Sequence, residues 1–133
     1  MRNYFSKNRH KGYLKCHLIF VCKYRKKILH GPLGDSVKKS MSDIADKSDF
    51  SIEMMETDKD HVHLLVQYPP TLSVSSIVRR LKQESAWNVW LSHPDALRKT
   101  YWKEHTLWTD GYFACSTGDV SSDIIRDYIA NQG

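Results

Sequence analysis

The sequence predicts an α+β domain: a four-stranded antiparallel sheet with helices on one face, followed by a terminal helix that carries a tyrosine. Three observations lead there. Four segments, 13–23, 50–57, 61–68 and 111–117, read as strands, two of them with period-two alternation of apolar residues. Stretches with helical apolar spacing separate the first from the second, the third from the fourth, and follow the last. The length of 133 residues suits one domain over 1–133, and 41% hydrophobic with 26% charged residues is a globular balance.

The elements follow in order. In 13–23, Leu14, Cys16, Leu18, Phe20 and Cys22 share one side, while Lys15, His17 and Lys23 share the other with Ile19 and Val21. That strand is apolar on both faces, more than a one-sided sheet needs, which suggests pairing edge to edge or packing across a twofold axis. Pro32 opens a helix ending near Lys47, with Leu33, Val37, Met41 and Ile44 on one stripe. Two strands follow at 50–57 and 61–68, the second closed off by Pro69-Pro70. The longest helix runs over 72–91, with Val74, Ile77, Val78, Leu81 and Trp90 apolar and Arg79, Arg80 and Lys82 facing elsewhere. Residues 94–110 read as a mixed connector. A short strand at 111–117 and a helix at 121–132 complete β-α-β-β-α-β-α. The first six elements match the ferredoxin-like or RRM-like βαββαβ unit.

Composition removes several function classes. No apolar run approaches a membrane span, and the first residues lack the apolar middle of a signal peptide, so a cytosolic protein is expected. Three cysteines without a CxxC argue against a disulfide framework or a zinc ribbon and read as buried thiols. The charge is uneven. Residues 1–34 hold nine Lys or Arg and no acid, whereas the other 99 hold eleven basic and fifteen acidic side chains. A one-signed block with Tyr4, Phe5, Tyr13 and Tyr24 interleaved favours a polyanion partner over a merely solubilising surface.

Two places carry chemistry. In a strand at 61–68, Val62, Leu64, Val66 and Tyr68 enter the core, and His61 and His63 point out on the other face, about 6.6 Å apart along the backbone. Two imidazoles so placed are either polar residues on the wet face or a pair able to converge on one metal ion. In the terminal helix Tyr128 and Gln132 are four apart and share a face. A phenol is a candidate nucleophile and a carboxamide oxygen a candidate metal ligand; the plain alternative is a helix end packed beside Ile124 and Ile125.

Together these pieces resemble a known family. The stretch Thr57-Asp58-Lys59-Asp60-His61-Val62-His63-Leu64-Leu65 is similar to the HUH motif (His, bulky hydrophobic, His). Thr106-Leu107-Trp108-Thr109, Tyr112-Phe113 and Tyr128-Ile129-Ala130-Asn131-Gln132 resemble the closing signature of the single-tyrosine HUH transposases of small hairpin-ended bacterial insertion sequences. His17-Leu18-Ile19-Phe20 and Lys23-Tyr24-Arg25-Lys26-Lys27-Ile28-Leu29 match the same family, so the resemblance covers roughly residues 13–132.

The resemblance implies a mechanism. His61, His63 and Gln132 would hold one divalent ion, Mg2+ or Mn2+, and no organic cofactor is needed. Tyr128 would attack a scissile phosphate and leave a 5′-phosphotyrosine link with a free 3′-OH. The implied substrate is single-stranded DNA with subterminal hairpins. Lys23, Arg25, Lys26, Lys27, Arg79, Arg80 and Lys82 become candidates for DNA contacts. The implied assembly is a homodimer exchanging the helix at about 120–132. Relatives usually carry a glycine pair before that helix, whereas here Gly118 is followed by Asp119. The rivals are a domesticated relative that processes chromosomal repeat hairpins and a non-catalytic nucleic-acid-binding module, although the aromatic RNP pattern of an RRM is not evident.

Overall fold

The computed structural model describes residues 13–116 and 122–132. The Gly118–Asp119 step and the basic residues Arg2, Lys7, Arg9 and Lys11 lie outside them. The elements are β1 (Leu14–Val21), α1 (Gly31–Asp46), β2 (Ser51–Thr57), β3 (His61–Tyr68), α2 (Val74–Ser92), α3 (Pro94–Thr100), β4 (Phe113–Ser116) and α4 (Ser122–Ala130). The four strands form one antiparallel sheet in the order β2-β3-β1-β4. That is the order the ferredoxin-like arrangement requires, with the first and third strands central.

One face of the sheet makes the main core. Period-two alternation sends Cys16, Leu18 and Phe20 of β1 and Val62, Leu64 and Val66 of β3 to the same side. They meet Val37, Met41 and Ile44 of α1 and Ile77, Val78 and Leu81 of α2, all buried. The Ser73 side chain caps α2 by accepting from the Ser76 N–H at 3.1 Å. Cys16 and Cys22 are buried as expected, and burial raises the Cys16 thiol to about 11, but Cys115 is only partly covered.

The other face is where the structure corrects the reading of β1. Ile19 and Val21 are fully buried, and the residues that cover them are Ile129, Ile125 and Tyr128 of α4 and Phe113 of β4. β1 cannot pair edge to edge, because β3 and β4 occupy both its sides. Its two apolar faces serve a sheet covered on both sides by its own chain.

The connector also gains structure. Residues 94–100 form the two-turn α3, opened by Pro94, with Asp95 in its first turn and Arg98 and Lys99 in its last, the charge order a helix dipole favours. Beyond it, 107–109 runs beside the end of β1. Lys23 N–H donates to the Leu107 carbonyl and Thr109 N–H to that of Val21, both at 2.8 Å, around a Cys22–Trp108 bridge. Among the described residues no helix is long and apolar enough to cross a membrane.

Candidate active site

The outer face of β3 carries His61 and His63, both half-buried, while the intervening Val62 is wholly buried. The β2–β3 turn sets the start of β3: Asp58 N–H donates to the His61 carbonyl, and the Asp58 carboxylate accepts from the Lys59 N–H. Each histidine has a partner that sequence reasoning missed. His61 Nδ1 lies 2.9 Å from Asp60 Oδ1. His63 Nε2 lies 3.0 Å from His17 Nδ1, with the ring centroids 5.1 Å apart. Burial holds His63 below its ordinary value, and the His17 and His61 rings act the same way, against the pull of Glu56. Those causes favour the neutral imidazole of His63, the form that offers a lone pair.

Register places the rest. Glu56, His63, Ile19 and Phe113 form one row across β2, β3, β1 and β4. Tyr128 packs its ring on Phe113, centroids 5.6 Å apart, at the far end of that row. Phe113, on which Tyr128 packs, is two strands from His63 on the same sheet face, about 10 Å at the usual strand spacing. The Tyr128 hydroxyl is buried beside Thr109 and Gly111; a Cβ on Gly111 would lie 3.9 Å from it. Burial lifts the phenol above 10 and the Thr109 hydroxyl draws it partly back, although neither hydroxyl forms a well-aligned hydrogen bond.

The side of α4 that faces the histidines carries other residues. Ile125, Arg126 and Ile129 line a groove of about 470 Å³ with Glu56, Thr57, Asp58, His61 and His63. Gln132 follows the last turn, half-buried, its N–H donating to the Ile129 carbonyl. Among the described residues no hydrogen bond joins Tyr128 or Gln132 to either histidine, and no three His, Cys, Asp or Glu side chains form a metal-binding group. The donor chemistry of the pair still suits a divalent ion. With Asp60 Oδ1 2.9 Å from His61 Nδ1, the Nδ1–H tautomer donates to the carboxylate and leaves the Nε2 lone pair for an ion.

The expected DNA contacts separate by partner. Lys26, Lys27 and Arg79 are exposed and have no ion pair among the described residues. Lys23 reaches Asp110 at 3.7 Å, Arg25 reaches Asp60 at 3.8 Å, and Arg80 pairs with Glu84 at 2.7 Å. Lys82 is engaged within its own chain. Its ammonium donates to the carbonyls of Thr109, Asp110 and Gly111 at 2.6, 3.1 and 3.0 Å, and burial lowers its pKa, with Asp110 opposing. That geometry makes Lys82 a clamp of the turn against which Tyr128 packs.

A ferredoxin-like sheet with an HxH pair on a central strand, and one tyrosine on a terminal helix across the same face, defines a single-tyrosine HUH protein. The family follows from comparison: the model described as "Transposase IS200 like" matches residues 10–132, and the chain belongs to that family. It is 32% identical over 119 residues to the ISDra2 transposase TnpA of Deinococcus radiodurans, covering 90% of this chain and 84% of that one. The transposase for insertion sequence element IS200 of Salmonella typhimurium is 29% identical over 118 residues, 89% of this chain and 76% of that one. A crystal structure of a candidate transposase from Deinococcus radiodurans R1 superimposes with a TM-score of 0.84 at 29% identity, over 92% and 93% of the two chains. A REP-associated tyrosine transposase bound to a REP hairpin shares the fold, with a TM-score of 0.57 at 14% identity, over 97% of this chain and 68% of that one.

Proposed function

We propose that this transposase nicks and rejoins single-stranded DNA at insertion-sequence ends, with Tyr128 as the nucleophile. The observation that carries the reading is the shared outer face: His61, His63 and Tyr128 stand on one side of one sheet in a chain of transposase lineage. The Tyr128 oxygen attacks the scissile phosphorus; the P–O bond to the preceding nucleotide breaks and releases a free 3′-OH, leaving a 5′-phosphotyrosine. A second 3′-OH then attacks that phosphorus and frees the tyrosine. Each step exchanges one phosphate ester for another, so no external energy source is needed.

His61 and His63 would hold a Mg2+ or Mn2+ ion, with the Gln132 carboxamide as a further ligand; the ion would neutralise charge on the phosphate oxygens. Imidazole donors suit Mn2+ better than Mg2+. Arg126, on the opposite wall of the groove, supplies a guanidinium within the same space. Lys26, Lys27 and Arg79 offer free cations for the phosphates of a hairpin-bearing strand.

The separation of Tyr128 from the histidines makes delivery part of the mechanism. Tyr128 packs on Phe113, two strands from His63, with no hydrogen bond to either histidine, which supports delivery of the tyrosine by movement of α4. Exchange of that helix within a homodimer is the arrangement proposed. The test is a denaturing gel of the protein incubated with a single-stranded element end. A DNA-shifted band should form with Mn2+, disappear in EDTA, and fall at least about 100-fold in His61→Ala. Full adduct formation in EDTA would remove the metal from the reading.

A further inference from the structure

Asp60 and the backbone turn at Tyr24–Arg25 do a job that neither the HxH pair nor the tyrosine explains. The Asp60 side chain is only 13% exposed and touches two groups: His61 Nδ1 at 2.9 Å through Oδ1, and Arg25 Nε at 3.8 Å through Oδ2. Arg25 reaches it from an unusual backbone. Tyr24 and Arg25 have φ of 61° and 52°, the only non-glycine positive values among the described residues. Two consecutive side-chain-bearing residues in the left-handed region are costly, and such strain persists only where surrounding bonds impose it. Those bonds are present. Cys22 N–H donates to the Asp60 carbonyl at 2.8 Å, Lys23 N–H to the Leu107 carbonyl at 2.8 Å, and the Tyr101 hydroxyl to the Lys23 carbonyl at 2.9 Å. The turn is thus pinned on one side to the residue that precedes the first histidine, and on the other to 101–107.

We propose that Asp60, held by Arg25 from this strained turn, is the positioning residue of the metal centre: it fixes His61 with its proton on Nδ1 and its Nε2 lone pair directed at the ion. This rests on the metal reading above and adds the residues that orient the ligand. It also gives Arg25 a task other than a DNA contact. A histidine without such a partner exchanges its proton between both nitrogens and rotates about its side-chain bonds, so less of it is poised to ligate.

The experiment uses the full chain without DNA and reads two quantities: Mn2+ affinity, from the EPR signal of free Mn2+, and the His61 tautomer, from long-range proton–nitrogen NMR of the imidazole. Asp60→Ala should weaken Mn2+ binding about 10- to 100-fold and shift the metal-free His61 from Nδ1–H toward a mixture. Asp60→Asn keeps an accepting oxygen and should retain most of the Nδ1–H form. Arg25→Gly adopts the left-handed backbone without strain, so thermal stability should hold while Mn2+ affinity falls by up to about five-fold. That pairing keeps the idea testable should Asp60→Ala fold poorly. Unchanged affinity and tautomer in Asp60→Ala would overturn the proposal while leaving the metal reading intact. A wild-type chain that takes up no Mn2+ would overturn the metal reading, and a mixed tautomer in that wild-type chain would overturn this one separately.

Discussion

Replacing Lys82 by methionine separates a clamp from a DNA contact. Methionine retains most of the side-chain length, so packing along α2 is largely kept, but all three ammonium hydrogen bonds are lost. Asp110 and Gly111 are exposed, and their carbonyls can turn to water at little cost. Thr109 is 8% exposed, so its carbonyl is left unpaired in the interior, at about 1–3 kcal/mol. A net loss of about 2 kcal/mol follows, which for a domain of this size lowers Tm by about 6–8 °C. Thermal unfolding by circular dichroism reads that shift. Hairpin binding across a salt series reads the alternative, since a lost phosphate contact would reduce the salt slope by about 0.7–0.9. The clamp requires a lowered Tm with an unchanged slope. An unchanged Tm with a shallower slope would refute it and return Lys82 to the DNA.

Other expected outcomes follow from the same geometry. Ile129→Ala removes the buried contact of α4 with Ile19 and Val21, a loss of about 2–5 kcal/mol on a nine-residue helix, so hydrogen exchange should accelerate over 124–130 while the β1 and β3 amides stay protected; uniform loss of protection would contradict a separately docked helix. In the metal-free chain His63 is held below 6.5 by burial and by His17, so its stability contribution is present above that pH and lost as pH falls through the folded value. His63→Gln should flatten that acid limb of the stability curve; an unaltered limb assigns it to other groups. Mixing Tyr128→Phe with His63→Ala chains should restore cleavage if α4 is exchanged in a homodimer, because one composite site then carries neither defect. Continued inactivity of the mixture would place tyrosine and histidines of each site in the same chain.

Where apolar residues repeat with a clean period, the elements were legible. The alternation in β3 places Val62, Leu64 and Val66 inward and His61 and His63 outward, as expected, and α1 and α2 follow their stripes. Short elements were not. The seven residues of α3 bury only Leu97, too little for a stripe, so its Pro94 start and charge order were the available signals. Ile19 and Val21 advertised a covering surface without saying whose; a helix from the same chain and one from a second copy leave the same residue pattern. The partners of the site were hidden for a different reason. His17 and His63 are 46 positions apart and meet only through the β1–β3 register, whereas Asp60 stands next to His61, where the Asp-His pair was a local cue. Lys82 reads as one more cation on a basic helix until the 109–111 turn is folded against it.

The most direct measurement is the mass of the protein–DNA junction. Single-stranded element end is incubated with the wild-type chain and Mn2+, the DNA is trimmed by nuclease, and the protein is cut with trypsin, which cleaves after Arg126. The nucleotide should remain on the peptide beginning at Asp127, which contains Tyr128 as its only tyrosine, and Tyr128→Phe should give no adduct while binding the hairpin as before. A nucleotide on the peptide that contains Tyr112, or an adduct that survives in Tyr128→Phe, would contradict the account.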